Sequence, residues 1–374
     1  MFPALGLRSM KTHGSPVGHR FVVCAVTFVV NGWWQAMFTR CKWSAFLLLG
    51  LLAWPVPSHA QGVAIKLATV VPDGSVWDKN LKQMAAEWKQ TTGDRVSVTL
   101  FGGGSQGDEP TVLRKIRLDA LQAASFTAVG LAGIEPSFNV FSVPFFFESY
   151  DELNAVMDTL TPLLKQRLEA KGFVLLHWGH GGWLQLFSKR PVKTVADLKA
   201  VKLWTSAGDD RMTQWYKANG FQPRALAMTD IMTGLTTGMI DGLPAPPIAA
   251  LAFQWNRQAP HMLDIGLAPI VGGTVISTRT WTRIAPADRA AMSEIALAAE
   301  TRLRAEVPNQ DRFAVALMSK QGLTVTKAEG PEWKAEANAL ARAMRGGMVP
   351  ADIFDLALKE RDAFRQRKAA GASR

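Results

Sequence analysis

After residue 60, short apolar segments alternate with amphipathic segments along the chain. Residues 65–71 form a short run rich in β-branched side chains that a Pro-Asp-Gly turn follows, which predicts a strand. Residues 76–92 space their apolar side chains as a helix does, and residues 96–101 alternate as a second strand does. A basic amphipathic helix over 109–118 and a third strand over 124–131 follow. This β-α-β-α-β order predicts an α/β fold whose mainly parallel sheet is covered by helices on both faces.

The alternation continues beyond residue 140, and the last part of the chain becomes helical. We predict a helix at 149–171, followed by strands at 173–178 and 183–187 that a Gly-His-Gly-Gly break separates. From Pro286 an Ala-rich pattern predicts a helix over 286–307, about 33 Å long at 1.5 Å per residue. Further strands are predicted at 201–204, 222–226 and 240–243.

The first sixty residues are typical of a targeting region rather than of a fold. From Met37 a short basic segment precedes the apolar segment 44–54, and residues 55–60 end in Ser-His-Ala, a small-x-small cleavage pattern. We therefore predict a signal peptide over 37–60 that is cut after Ala60, with Met37 as the true start. The alternative, in which a second apolar stretch forms part of a membrane hairpin, stays open. Both cysteines, Cys24 and Cys41, fall in this region, which suits export without disulfides.

Composition and charge exclude several classes of protein. A chain of 374 residues with 48% hydrophobic and 20% charged residues is neither disordered nor collagen-like, and two cysteines cannot form a disulfide scaffold. No apolar run reaches the 18 residues of a membrane span. The net charge of +11 includes five basic residues in 1–60, and the remaining 37 basic against 31 acidic residues leave only +6. Such a mild excess predicts no nucleic-acid partner.

A glycine-rich segment at 102–107 matches two catalytic motifs. As G-x-G-x-x-G it would hold a dinucleotide, but no acidic residue follows the third strand to bind a ribose. As G-x-S-x-G it offers Ser105 as a nucleophile, with Asp241 and His261 in the chain order of a hydrolase. Only two strands precede Ser105, fewer than a hydrolase places before its nucleophile. We favour a ligand-facing loop at a strand tip and keep a secreted hydrolase as the lesser alternative.

The histidines predict neither a metal site nor a cofactor. His177 and His180 are three residues apart, and His261 is the third histidine after residue 60. Because a catalytic zinc needs three protein ligands close together, this set is insufficient. No pair of carboxylates stands out in the sequence as a general acid and base.

Three separated segments resemble one family. Residues 188–204, 141–145 with the following Ser-Tyr pair at 149–150, and 235–242 resemble the signature of TRAP (tripartite ATP-independent periplasmic) transporter solute-binding proteins. The resemblance covers residues 63 to about 365. It implies a periplasmic receptor, and not an enzyme, whose two α/β lobes close on a small molecule and which delivers that solute to an ion-driven TRAP permease. The alternative is a ligand sensor or partner-binding module, for instance with a periplasmic helical-repeat protein.

The resemblance also implies how the chain divides between the lobes. We expect the chain to cross between them near 182–187 and near 273–277, with the helix 286–307 bridging both. The predicted domains are the targeting region 1–60, a first lobe of 62–183 with 270–300, and a second lobe of 184–269 with 301–374.

This sequence departs from the family at the positions that face the carboxylate of a ligand. The resemblance places Trp204 and Leu184 where carboxylate-binding members have arginines, and Ala245 where they have an asparagine. A buried Trp offers about 150–250 Å² of contact, so we predict a pocket for an apolar or amphipathic solute, which includes an organic acid held by other donors. The alternative is that Trp204 only narrows the pocket for a small acid, and Arg211 or Arg224 could then supply the missing charge from a neighbouring position. The remaining predicted ligand contacts are Phe145, Phe146, Trp178, Trp183, Phe187, Met228 and Asp241.

Overall fold

The structure, a computed structural model, describes residues 62–328 and 331–372. The predicted targeting region 1–60, with its signal peptide and both cysteines, lies outside the described residues. Within the described residues, none of the helices combines the length and the apolar character that crossing a bilayer requires. The described strands are β1 (Val63–Thr69), β2 (Val96–Phe101), β3 (Ala123–Thr127), β4 (Phe173–Trp183), β5 (Gln185–Ser188), β6 (Lys202–Ser206), β7 (Gln222–Leu226), β8 (Gly242–Ala245), β9 (His261–Asp264), β10 (Pro269–Ser277) and β11 (Thr324–Lys327).

Helices connect and cover these strands, as the alternating pattern predicts. Short 3₁₀ segments lie at Pro136–Ser142, Met228–Asp230 and Trp255–Arg257. The helices are α1 (Val76–Thr91), α2 (Glu109–Arg117), α3 (Ala128–Ala132), α4 (Tyr150–Glu169), α5 (Val195–Ala200), α6 (Asp210–Ala218), α7 (Ile231–Thr237), α8 (Pro247–Ala252), α9 (Thr278–Arg283), α10 (Pro286–Lys320), α11 (Pro331–Met344) and α12 (Ala351–Ala372).

The first lobe is built on a five-stranded sheet in the order β2-β1-β3-β10-β4. Strands β1, β2 and β3 pair in parallel, and β10 pairs antiparallel with both β3 and β4. Crossover helices can join the parallel strands because each runs back over a face of the sheet. The core between this sheet and helices α1 and α10 contains Trp88, which is fully buried and donates its indole N–H to the carbonyl of Met292 at 3.0 Å.

The second lobe is built on a six-stranded sheet in the order β11-β9-β5-β8-β6-β7. Strands β6, β7 and β8 are parallel to one another, whereas β5 runs antiparallel to β8 and β9. Its buried centre includes Phe187, Leu243 and Met262. The predicted α/β, two-lobed fold is therefore confirmed.

The chain crosses between the two sheets in two segments that lie next to each other. The chain leaves β4 and enters β5 at Leu184, whose amide donates to the carbonyl of Ala268 at 2.8 Å, while the amide of Leu267 donates back to Leu184 at 2.9 Å. The first crossing lies where the sequence predicts it. The second prediction, at 273–277, is wrong: those residues lie inside β10, and the return crossing is at 265–268.

The helix that bridges the lobes is longer than predicted. Helix α10 has 35 residues and continues through Pro308 to Lys320, instead of ending at Val307. A proline interrupts the helical hydrogen bonds, but tertiary packing overrides this local cost. Beyond Pro308, Asp311 and Met318 are buried in the second lobe, and α10 packs against both α1 and α8.

The C-terminal helix does not lie where the predicted domains place it. We expected 301–374 to belong to the second lobe, but α12 packs against α4 of the first lobe. Arg167 of α4 pairs with Asp352, and the guanidinium of Arg361 lies 4.5 Å from the centre of the Phe146 ring. Buried apolar residues on one face of α12, such as Ile353, fix this position.

Two local predictions around glycines and strand ends are also corrected. The expected break at 179–182 is absent, because β4 runs without interruption to Trp183. The glycines instead allow close pairing with β10: a Cβ on Gly181 would lie 2.3 Å from Cγ2 of Ile270. The third strand ends at Thr127 rather than at Leu131, since the Thr127 hydroxyl accepts from the Gly130 amide and starts helix α3.

Candidate ligand-binding site

A cavity of about 320 Å³ lies between the two lobes. The carboxyl ends of the parallel strands β1, β2 and β3 face it from the first lobe, and those of β6, β7 and β8 face it from the second. This is where open parallel sheets bind ligands, because the loops that follow the strands converge there. The residues that line it are mostly apolar, and aromatic side chains are prominent among them: Trp77, Phe126, Trp204, Tyr216, Phe253 and Trp255.

Four of the predicted ligand contacts line this cavity. They are Trp204, Leu184, Ala245 and Met228. Trp204 donates its indole N–H to the carbonyl of Leu226 at 3.0 Å, which ties the polar edge of the ring to the end of β7. The apolar surface of the ring is thereby left for the cavity. Leu184 also lies at the first crossing, so the contact between this residue and a ligand would depend on the relative position of the lobes.

The other predicted contacts do not line the cavity. Trp178, Phe146 and Phe187 are core residues with at most 2% of their surface exposed. Trp178 packs against Phe138 and Phe141, and its indole N–H donates to the hydroxyl of Thr161 at 2.9 Å. The remaining three lie at other places in the fold: Trp183 packs edge-on against Tyr150, Phe145 donates its amide to Leu267, and Asp241 lies 3.8 Å from Lys202.

No cation lines the cavity in the part of the chain that the structure describes. The two arginines suggested as replacements point elsewhere. Arg211 donates to the carbonyl of Gly347, and Arg224 is exposed and donates to the carbonyl of Pro223 at 3.1 Å. Neither guanidinium forms part of the cavity wall.

The glycine-rich loop 102–107 contacts the cavity through Gly104 and Gly107. The amides of Gly103 and Gly104 donate to carbonyls of β1 and its following loop, at 2.9 and 3.0 Å. They are therefore not free to hold a phosphate, as a dinucleotide site requires. Ser105 is exposed and is not among the residues that line the cavity.

Two buried histidines of β4 reach the cavity. His177 and His180 are 3% and 1% exposed. Burial lowers the pKa of His177, and burial together with the nearby Arg304 guanidinium lowers the pKa of His180 to about 3. Both rings are therefore neutral at pH 7. Nε2 of His177 and both ring nitrogens of His180 lack a hydrogen-bond partner among the described residues.

Three carboxyl groups also line the cavity: Asp108, Glu109 and Asp209. Burial raises the pKa of Glu109 and of Asp209. Burial, and to a lesser extent the nearby Asp209, raises the pKa of Tyr216 to about 12. Among the described residues, no group of three His, Cys, Asp or Glu side chains is arranged to hold a metal ion.

Most of the polar part of this site was not predicted from the sequence. His177 and His180 were weighed only as metal ligands, and the three carboxyl groups were not predicted to line a site. A usable signal existed for Asp108 and Asp209, because each immediately precedes a helical pattern, as an N-cap does. No local signal shows that these helix starts meet at one cavity.

The buried imidazole of His180 predicts a loss of stability in acid. Its pKa is near 6.5 in the unfolded chain and about 3 in the folded one, so the unfolded state binds an additional proton between these values. The contribution of the neutral His180 ring to the free energy of unfolding is fully present above pH 6.5 and is lost as the pH falls towards 3. Between pH 7 and 4.5 we expect the wild type to lose about 2–3 kcal/mol more than His180→Gln does, measured by urea unfolding.

The control for this experiment is His261→Gln, which removes a half-buried histidine of β9 that does not line the cavity. It should keep the acid sensitivity of the wild type. Equal pH dependence of the wild type and His180→Gln would contradict the prediction.

The two α/β lobes enclose a cavity at the carboxyl ends of their parallel strands, and two crossings and helix α10 connect them. This arrangement is typical of receptors that bind a small molecule between two lobes. The model of the bacterial extracellular solute-binding protein family 7 (DctP) matches residues 67–346. The chain belongs to this family. As the sequence predicts, it is a solute-binding protein of this family and not an enzyme.

Individual relatives are distant. The chain is 25% identical over 243 residues to a solute-binding protein of Verminephrobacter eiseniae. The aligned residues cover 64% of this chain and 72% of that protein. It is 24% identical over 253 residues to the C4-dicarboxylate-binding periplasmic protein DctP of Rhodobacter capsulatus. This alignment covers 67% of the chain and 75% of that relative. A TRAP periplasmic solute-binding protein of Xanthobacter autotrophicus, with bound β-D-galacturonate, matches with a TM-score of 0.74 at 19% identity, over 80% of this chain and 99% of that one.

Proposed function

We propose that this protein is an exported receptor that binds an apolar or amphipathic small molecule between its lobes and delivers it to an ion-coupled TRAP permease. The observation that carries the proposal is the composition of the cavity wall. Trp204, Leu184 and Ala245 line it, and no described Lys or Arg does. By contrast, the similar solute-binding proteins of Xanthobacter autotrophicus and Pseudomonas putida were solved with bound galacturonate and glucuronate, which are polar sugar acids.

Apolar burial supplies the affinity in this proposal. Removing apolar surface from water contributes about 25 cal/mol per Å², so a ligand that buries about 200 Å² against such a wall gains roughly 5 kcal/mol before the entropic cost of binding. A ligand that contacts both lobes also favours the arrangement in which they are closest, because it binds that arrangement more tightly.

The proposed function is tested on the natively exported protein. Mass spectrometry of the solute released from it should identify a small molecule, and equilibrium dialysis should return that molecule chemically unchanged after saturable binding. Export by a cleaved signal peptide predicts a mature chain that begins at Gln61. We expect permease subunits, rather than a helical-repeat protein, to co-purify with the loaded receptor. Recovery of a chemically altered solute would contradict receptor function.

Replacing Ser105 by Ala should leave binding unchanged. Ser105 is exposed, and its amide, which the substitution retains, donates to the carbonyl of Gly102 at 3.1 Å. We expect the dissociation constant for the released solute to change by less than twofold in calorimetry. Hydrolysis of an ester probe by the wild type that Ser105→Ala abolishes would instead support the hydrolase alternative.

A further inference from the structure

The polar groups of the cavity indicate which kind of polar end the solute carries. Two helices of nine residues, α2 and α6, begin at the cavity wall. Their free backbone amides would ordinarily attract an anion. Here Asp108 accepts from the amide of Thr111 at 3.0 Å, and Asp209 accepts from the amide of Met212 at 3.0 Å. The chain's own carboxylates therefore occupy the positions at which an anionic ligand would bind.

A third carboxyl group is held in the same way at the end of β3. Glu109 is 9% exposed, and its two oxygens accept from the amide and the hydroxyl of Thr127 at 2.6 and 2.8 Å. A ligand carboxylate in this cavity would face acidic groups and no described Lys or Arg. In a site of low dielectric constant, no ion pair would offset the hydration that a ligand carboxylate loses on binding.

His177 supplies the unpartnered acceptor in this wall. Its Nδ1 lies 2.8 Å from the carbonyl oxygen of Trp178, and because a carbonyl can only accept, Nδ1 carries the proton. In the neutral ring, Nε2 then keeps a lone pair and can only accept. This atom is buried, belongs to a residue that lines the cavity, and has no partner among the described residues. His180, with both nitrogens unpartnered, lies three residues further along β4.

We infer that the natural solute carries no carboxylate and that its polar end donates a hydrogen bond, from a hydroxyl or an N–H group, to Nε2 of His177. This inference rests on the proposed receptor function and names the class of its ligand. The body of the solute is apolar or aromatic and packs against the wall that contains Trp204. A hydroxyl or an amine would satisfy this buried acceptor, which has no partner among the described residues and whose burial is otherwise uncompensated. A carboxylate has no proton to donate and cannot do so.

Matched probes that share one carbon skeleton test this assignment. The probes are 3-phenylpropan-1-ol, 3-phenylpropylamine and 3-phenylpropanoate, titrated calorimetrically at pH 7 into the full exported protein after removal of its solute. We expect the alcohol or the amine to bind at least tenfold more tightly than the carboxylate. Which of the two is tighter distinguishes an uncharged from a cationic solute. The inference is overturned if the carboxylate binds as tightly as its partners, or if neither the alcohol nor the amine binds.

Two substitutions at one position test the acceptor itself. His177→Asn keeps an N–H group near the position of Nδ1 and removes the acceptor at Nε2, whereas His177→Gln can place an amide oxygen near Nε2. We expect His177→Asn to weaken binding of the alcohol at least fivefold and His177→Gln to restore part of that loss. Circular dichroism confirms that both variants are folded. Equal affinities of wild type and His177→Asn would overturn the role of His177.

The failure of this inference is distinguishable from the failure of the proposed function. If the solute released from the native protein is a carboxylate that binds reversibly and unchanged, the receptor function stands and the inference about the polar end is wrong. If the released solute has no carboxylate and bears a hydroxyl or an N–H group, both stand.

Discussion

The substitution Trp204→Arg is expected to give the receptor measurable, micromolar affinity for small carboxylates and to weaken its affinity for its own solute at least tenfold. Trp204 lines the cavity from the end of β6, with its indole N–H tied to Leu226. A guanidinium there would offer a planar pair of donors, and a bidentate bond of this kind contributes roughly 1.5–3 kcal/mol, a factor of about 10–150 in affinity. The lost indole surface accounts for the weaker binding of the apolar solute. Calorimetric titration with succinate and with the released solute measures both changes.

The matched control for this experiment is Trp204→Phe, which keeps an aromatic ring and adds no charge. It should gain no affinity for succinate, although it loses the hydrogen bond to Leu226. If Trp204→Arg binds the same ligands as the wild type with unchanged affinities, Trp204 does not contact the ligand and the proposed apolar wall is wrong.

The substitution Gly182→Ala is expected to lower the free energy of unfolding by about 3–5 kcal/mol, because two independent costs coincide at this residue. Gly182 has φ of 97°, a conformation that side chains disfavour. An added Cβ would also lie 2.6 Å from a carboxylate oxygen of Asp311 and 2.6 Å from Cβ of Pro246. Asp311 cannot move away freely, since it accepts from the amides of Trp183 and Ile248, both at 3.0 Å. Urea unfolding at pH 7 measures the effect.

A control with the same backbone conformation separates the two costs. Gly172 has φ of 83°, and an added Cβ there would meet nothing within 4 Å. Gly172→Ala should therefore show only the conformational cost, about 1–2 kcal/mol. Equal destabilisation by Gly182→Ala and Gly172→Ala would show that Asp311 and Pro246 do not enclose the crossing. Burial raises the pKa of Asp311 to about 6, so the comparison is made at pH 7, where this group is mostly ionised.

Much of the fold could be predicted because hydrophobic period and turn residues specify elements locally. The helix at 149–171 is observed as Tyr150–Glu169, and the strand at 201–204 as Lys202–Ser206. Errors occurred where packing outweighed a local signal. Pro308 does not end α10, because residues beyond it are buried in the second lobe. The glycines at 179–182 do not end β4, because they permit the close approach of β10.

The site was predicted less well because neighbouring residues of a strand face opposite ways. From the sequence, Trp178 is predicted to contact the ligand, whereas His177 is not. The structure buries Trp178 in the core of the first lobe and leaves His177 in the cavity wall. Trp204, Leu184 and Ala245 were found through their positions in the family motif, and all three line the cavity.

The sequence by itself determined the family, the α/β order of the elements and the absence of arginine at the key strand end, because each is local or depends on a matched motif. Tertiary structure alone decided where the chain returns between the lobes, which lobe receives α12, and which side chains share the cavity. Residues such as Asp108 and Asp209 are about a hundred positions apart in the chain. Only the packing of two sheets brings the helix starts that they cap to one cavity, and no local pattern encodes that meeting.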